Sequence, residues 1–189
     1  KARQALASDA YGPRQPGQAA DEEIAFHAAR ALSLLSSHAA NQRKILQHGG
    51  LPVMYALARL ADPDIQAEAA TVIANLTSTA YEAQIQVCDD EVLHLLLYLS
   101  ASEYREVQAA ATRALANLSQ SVDCEAAIRR ARANEQLFKL YQTGAADVKW
   151  QAKRAIANME ASRVLIGLRR YGGEAVPLVS EAEVGELCG

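Results

Sequence analysis

The chain has 189 residues and a formal charge of −3; half of it is hydrophobic, yet only 5% is aromatic. Such a balance gives no electrostatic reason to expect nucleic acid or an anionic membrane as a partner, and no apolar run approaches the roughly 18 residues a membrane span needs. An excess of Ala and Leu over Val, Phe and Tyr predicts helices rather than strands.

Residues 1–20 read as a partial repeat helix and a linker. Ala2-Arg3-Gln4-Ala5-Leu6-Ala7-Ser8 can be laid on residues 111–117, an expectation that the chain opens inside the last helix of an earlier repeat and is a fragment. Tyr11-Gly12-Pro13-Arg14-Gln15-Pro16-Gly17-Gln18 predicts a loop. From Asp21 the pattern settles. Asp21 is expected to cap a helix running through Glu22 to Ser36, with acids in its first turn as the macrodipole prefers.

Asn41 to Gly50 predicts a short helix stopped by Gly49 and Gly50. Leu51-Pro52 restarts a helix with an apolar stripe of Leu51, Met54, Leu57, Ala58 and Leu60. Asp62-Pro63-Asp64 ends it, and a third helix begins near Ile65. The same three-part grammar recurs as 81–87, 91–99 and 103–118, and again as 124–130, 134–141 and 147–159. Ile65-Gln66-Ala67, Val107-Gln108-Ala109 and Trp150-Gln151-Ala152 are read as one repeat position. Beyond Met159 the pattern weakens, which predicts a short capping helix over 162–171 and an acidic tail within 161–189.

The long helices rewrite one motif. Ala111-Thr112-Arg113-Ala114-Leu115-Ala116-Asn117-Leu118 matches Ala69-Ala70-Thr71-Val72-Ile73-Ala74-Asn75-Leu76 and Ala152-Lys153-Arg154-Ala155-Ile156-Ala157-Asn158-Met159, with a looser copy over 28–35. The asparagines stand 42 and 41 residues apart. A period near 40 predicts an all-α solenoid over 21–160, of about three three-helix repeats with partial repeats at its ends.

A short helix, a glycine or acidic turn, a second helix and a long third helix ending in Ala-Leu-x-Asn-Leu resembles the armadillo repeat, over roughly residues 22–159. The resemblance implies a right-handed superhelix whose third helices line a concave groove. It also implies that Asn75, Asn117 and Asn158 hydrogen-bond the main chain of an extended bound peptide, with Leu34 replacing the asparagine in the first copy. The same amides could instead bridge adjacent helices, and both roles stay open. One turn before this row stand Arg30, Thr71, Arg113 and Arg154. Importin-α-like members carry tryptophan there for basic nuclear-localisation peptides. Its absence argues against such cargo, and arginines resemble the basic groove of β-catenin-like members, which accepts acidic segments. The alternative for the arginines is a solvated face balanced by Glu68, Glu106 and nearby acids.

Chemistry is missing from the sequence. No phosphate loop, nucleophile elbow or H-E-x-x-H occurs, and His27, His38, His48 and His94 have no second ligand at i+3 or i+4. Three cysteines (Cys88, Cys124, Cys188) without a C-x-x-C predict buried or incidental thiols in an intracellular, cytoplasmic setting. An organellar address stays open, since a sequence beginning at Lys1 does not display its native N-terminus. The sequons Asn75-Leu76-Thr77 and Asn117-Leu118-Ser119 fall inside repeated helices and are discounted. The basic run Arg129-Arg130-Ala131-Arg132, with Lys139, lacks interleaved aromatics and reads as a solvated edge. The expectation is a non-catalytic adaptor without metal or cofactor, holding an acidic protein segment in its groove. The rival is an architectural subunit of a larger assembly.

Overall fold

The computed structural model describes residues 18–78, 84–85 and 87–170, with side chains described from 20 to 162. Among these residues lie nine α-helices: α1 (Gln18–Ser36), α2 (Ala39–Gln47), α3 (Gly50–Ala58), α4 (Pro63–Leu76), α5 (Asp90–Ser100), α6 (Arg105–Leu118), α7 (Val122–Arg130), α8 (Ala133–Thr143) and α9 (Ala146–Arg170). The long helices α1, α4, α6 and α9 stack in that order as one layer. Behind them α3, α5 and α8 pack on α4, α6 and α9 respectively. The chain is an all-α solenoid, built as the repeat period requires.

Local chemistry explains each break. The Asp62 carboxylate accepts from the backbone N–H of Asp64 at 2.9 Å and of Ile65 at 3.0 Å, and Pro63 follows at the first helical position. Asp89 caps α5 in the same way through Val92 N–H at 2.9 Å. Between α2 and α3, Gly49 adopts φ +72°, where a side chain is strained, and a Cβ on Gly50 would stand 2.8 Å from the Ile45 carbonyl oxygen.

The core follows the repeat. Met54, Leu96 and Leu137 share one position on the second helices and are wholly buried, each stabilising the stack by about 1.5–3 kcal/mol. On the third helices Ala69, Ala111 and Ala152 are likewise buried, and their small size lets consecutive helices approach closely.

Several expectations change. Helix α1 already runs at Gln18, so Asp21 lies within its first turn and answers the macrodipole instead of capping the helix. Helix α9 continues to Arg170 with no break after Met159, because residues 159–170 contain no proline and only one glycine; the separate helix expected from 162 does not form. In α3 the buried stripe is Met54, Tyr55 and Ala58, whereas Leu60 lies past the helix end and is exposed. The register at the third junction is also corrected. Val148, ten residues before Asn158, is buried as are Ile65 and Val107, ten before their asparagines, whereas Trp150 is 60% exposed. Trp150 therefore occupies the place of Ala67 and Ala109. The match of Ala2–Ser8, the tail beyond Arg170 and Cys188 lie outside the described residues, as does part of the short helix expected over 81–87.

Candidate functional site

Helical spacing aligns residues i, i+4 and i+8 along one face. On α9 that column is Trp150, Arg154 and Asn158; on α6 it is Ala109, Arg113 and Asn117; on α4 it is Ala67, Thr71 and Asn75. On α1 the matching residues are Phe26, Arg30 and Leu34. Stacking the four helices turns these columns into three rows that cross the layer.

In the asparagine row, every Nδ2 points back to the preceding repeat. Asn75 donates to Ser36 Oγ at 2.9 Å. Asn117 donates to the Ala74 carbonyl at 2.8 Å and to Thr77 Oγ1 at 3.4 Å. Asn158 donates to the Ala116 carbonyl at 3.3 Å and to Ser119 Oγ at 3.1 Å. Helix C-termini leave carbonyls without intrahelical partners, and these amides supply donors to them. The receiving hydroxyls of Ser36, Thr77 and Ser119 were not singled out from sequence for this role. Their recurrence directly after Leu35, Leu76 and Leu118 was the available signal, and two of them belong to the discounted sequons.

The arginine row divides. Exposed Arg30 pairs with Glu68 across the α1–α4 joint at 2.9 Å. Arg113 and Arg154 instead donate Nη2 to asparagine oxygens of the preceding helix, Asn75 Oδ1 at 3.3 Å and Asn117 Oδ1 at 2.6 Å. Thr71 leaves a neutral gap between them and Arg30. Among the described residues neither Arg113 nor Arg154 has a carboxylate partner. The buried Nε of each donates to nothing there. Burial lowers the proton affinity of both guanidinium groups, and the charge of Arg113 lowers that of Arg154 further. Trp150 stacks beneath Arg154, with the guanidinium carbon 5.3 Å from the ring centroid.

Several arginines elsewhere are neutralised, although Arg43 and Lys44 carry no ion pair among the described residues. Arg59 pairs with Glu91, Arg129 with Glu125, Arg130 with Asp90 at 3.1 Å and Arg105 with Asp147 at 3.2 Å. The basic run 129–132 is thus a set of ion pairs. Among the described residues no cluster of His, Cys, Asp and Glu could hold a metal. None of the helices there is long and apolar enough to cross a membrane.

A sequence profile described as armadillo-like matches residues 18–165. Among solved structures, one engineered protein is 33% identical with a TM-score of 0.71, over 75% of this chain and 58% of its own. A second engineered protein is 32% identical with a TM-score of 0.71, over 80% of this chain and 38% of its own. A designed armadillo repeat protein in complex with the peptide (KR)4 is 25% identical with a TM-score of 0.66, over 87% of this chain and 68% of its own. The chain therefore spans about half the length of the two engineered proteins. No curated protein matches the chain.

Proposed function

Because this chain belongs to the armadillo-like family, we propose that it is a non-catalytic interaction scaffold holding an extended, acidic protein segment along α4, α6 and α9. The observation that carries this reading is the pair Arg113 and Arg154: half-buried, mutually repelling and, among the described residues, without a carboxylate, while Arg30, Arg105 and Arg130 each have one. A carboxylate lying between them relieves that repulsion and accepts from the guanidinium forks. The designed relative bound to (KR)4 illustrates that this fold can hold an extended peptide; the arginines here favour the opposite charge.

Asparagines play a smaller part in this reading than peptide clamps would. Asn117 spends both amide hydrogens and its oxygen on neighbouring repeats, and it acts by aiming Arg154. Among the described residues Asn75 keeps one N–H, and Asn158 its Oδ1, for a bound main chain. Trp150 supplies an apolar wall at the α9 end.

The test is fluorescence anisotropy with a labelled Glu-rich peptide and with (KR)4. We expect the acidic peptide alone to bind, with affinity falling as salt rises. Arg113→Glu with Arg154→Glu should weaken it more than tenfold while helical circular dichroism stays intact. Equal binding by the double variant, or preference for (KR)4, refutes the groove reading.

A second reading, an architectural subunit, draws on the two ends of the described stack. Ile24, Leu34 and Leu35 on α1 and Phe138 and Trp150 near the other end are all at least half exposed. Apolar surface of this kind suits burial against more protein.

A further inference from the structure

One face of α1 is apolar and uncovered. Ile24, Ala28, Ala31 and Leu35 fall at i, i+4, i+7 and i+11, a single stripe along the helix. All four are exposed, Ile24 by 67% and Leu35 by 51%. Their counterparts on α4, Ile65, Ala69, Val72 and Leu76, are wholly buried, and so are those on α6, from Val107 to Leu118. Helices α4 and α6 each have a long helix on either side, whereas among the described residues α1 has only α4. The buried residues of α1, Ala29, Ser33 and Ser36, lie on the face opposite the stripe. The column of Phe26, Arg30 and Leu34 lies on a third face, so a neighbour on the stripe leaves the groove open.

The stripe also reads the same from either end: large, small, small, large, at steps of four, three and four residues. We propose that it is an interaction surface for a second copy of this chain, α1 lying antiparallel against α1 about a two-fold axis. Ile24 of one protomer then meets the partner's Leu35, and Ala28 meets the partner's Ala31. The symmetry makes each contact twice. Alanines at the centre let the helix axes approach to about 8 Å, the close end of the usual range. The larger side chains close the seam at both ends.

Charge selects the antiparallel arrangement. A parallel pair would set the acidic start of α1, Asp21, Glu22 and Glu23, beside its own copy. Reversing one helix lays those acids toward the partner's His38, Ser37 and Ser36 instead. A single helix pair falls short of the roughly 800 Å² per partner of a standard stable interface. The dimer is therefore weak, forming by mass action as concentration rises and dissolving at the dilution of a melting experiment.

The experiment is sedimentation equilibrium of the 189-residue chain across the micromolar range. The expected result is a reversible monomer–dimer equilibrium that stops at the dimer, because a two-fold contact closes on itself. Ala28→Glu and Leu35→Glu, both at exposed positions, should each leave a monomer with circular dichroism unchanged. Mixed Ala28→Cys and Ala31→Cys chains, once oxidised, should link residue 28 to residue 31 more than either to its own copy. Acidic-peptide binding by Ala28→Glu reads the groove separately, so the two proposals fail independently. A chain that stays monomeric, species growing beyond the dimer as one end stacks on the other, or glutamate variants that still pair would each overturn the proposal. So would a monomer in which Ala28→Cys resists a thiol reagent, since that result assigns the face to another segment of the chain.

Discussion

Asn117 shows how one side chain serves two joints. Its amide hydrogens reach the end of α4, its oxygen receives Arg154 from α9, and it is 5% exposed. Removing it takes the acceptor from the Arg154 Nη2 and one of two donors from the Ala74 carbonyl, which keeps Thr77 Oγ1 at 3.1 Å. Asn117→Ala should therefore lower stability by about 2 kcal/mol. Asn158 has no Arg partner among the described residues and is less buried, so Asn158→Ala should cost about half as much. Urea denaturation of both variants checks this, and equal losses would mean that the Arg154 contact adds nothing. At this scale the sequence left two roles open for the asparagines, and the observed bonds are those of interhelical bridges. An amide can pair with any peptide group, so its partner depends on what lies nearest in space.

At the scale of the element, turn chemistry sets where each helix stops. Gly49 and Arg132 occupy the same place in the first and third described units, before α3 and α8, and both adopt positive φ, +72° and +56°. Glycine tolerates that backbone, whereas an L side chain there is strained by about 1–2 kcal/mol. The Arg132 guanidinium offsets little of it, since its side chain is 81% exposed and its Glu135 partner lies at 4.0 Å. Arg132→Gly is expected to raise stability by about 1 kcal/mol, read as a higher denaturation midpoint. A lower midpoint would show that the Arg132 side chain contributes more than its contacts suggest. Gly49→Ala should move the other way by a similar amount. Glycine at 49–50 was legible as a stop, whereas the strained Arg132 was not, because arginine carries no turn signal.

Taken whole, the solenoid is a stack in which each unit touches its neighbours, so a position's cost depends on whether a neighbour covers it. Ile24 and Ile65 hold the same repeat position on α1 and α4, yet Ile24 is 67% exposed and Ile65 is buried. Ile65→Ala should destabilise by about 2–4 kcal/mol, whereas Ile24→Ala should change stability by less than about 0.5 kcal/mol. Thermal melts of the isolated chain decide the point. A large loss at Ile24 would mean that its face is covered in solution and would favour the architectural reading over an open end.

The sequence by itself determined that the chain is helical, where most helices break and at what period they stack. Those properties rest on propensity, capping residues and spacing within one helix or one repeat, all of which are local. Tertiary structure alone decided that Val148 and not Trp150 enters the core, that Arg30 finds Glu68, and that Arg113 and Arg154 have no counter-charge among the described residues. Each of these depends on atoms brought close by stacking from a neighbouring repeat, and a side chain's charge balance is set by that neighbour rather than by its own helix.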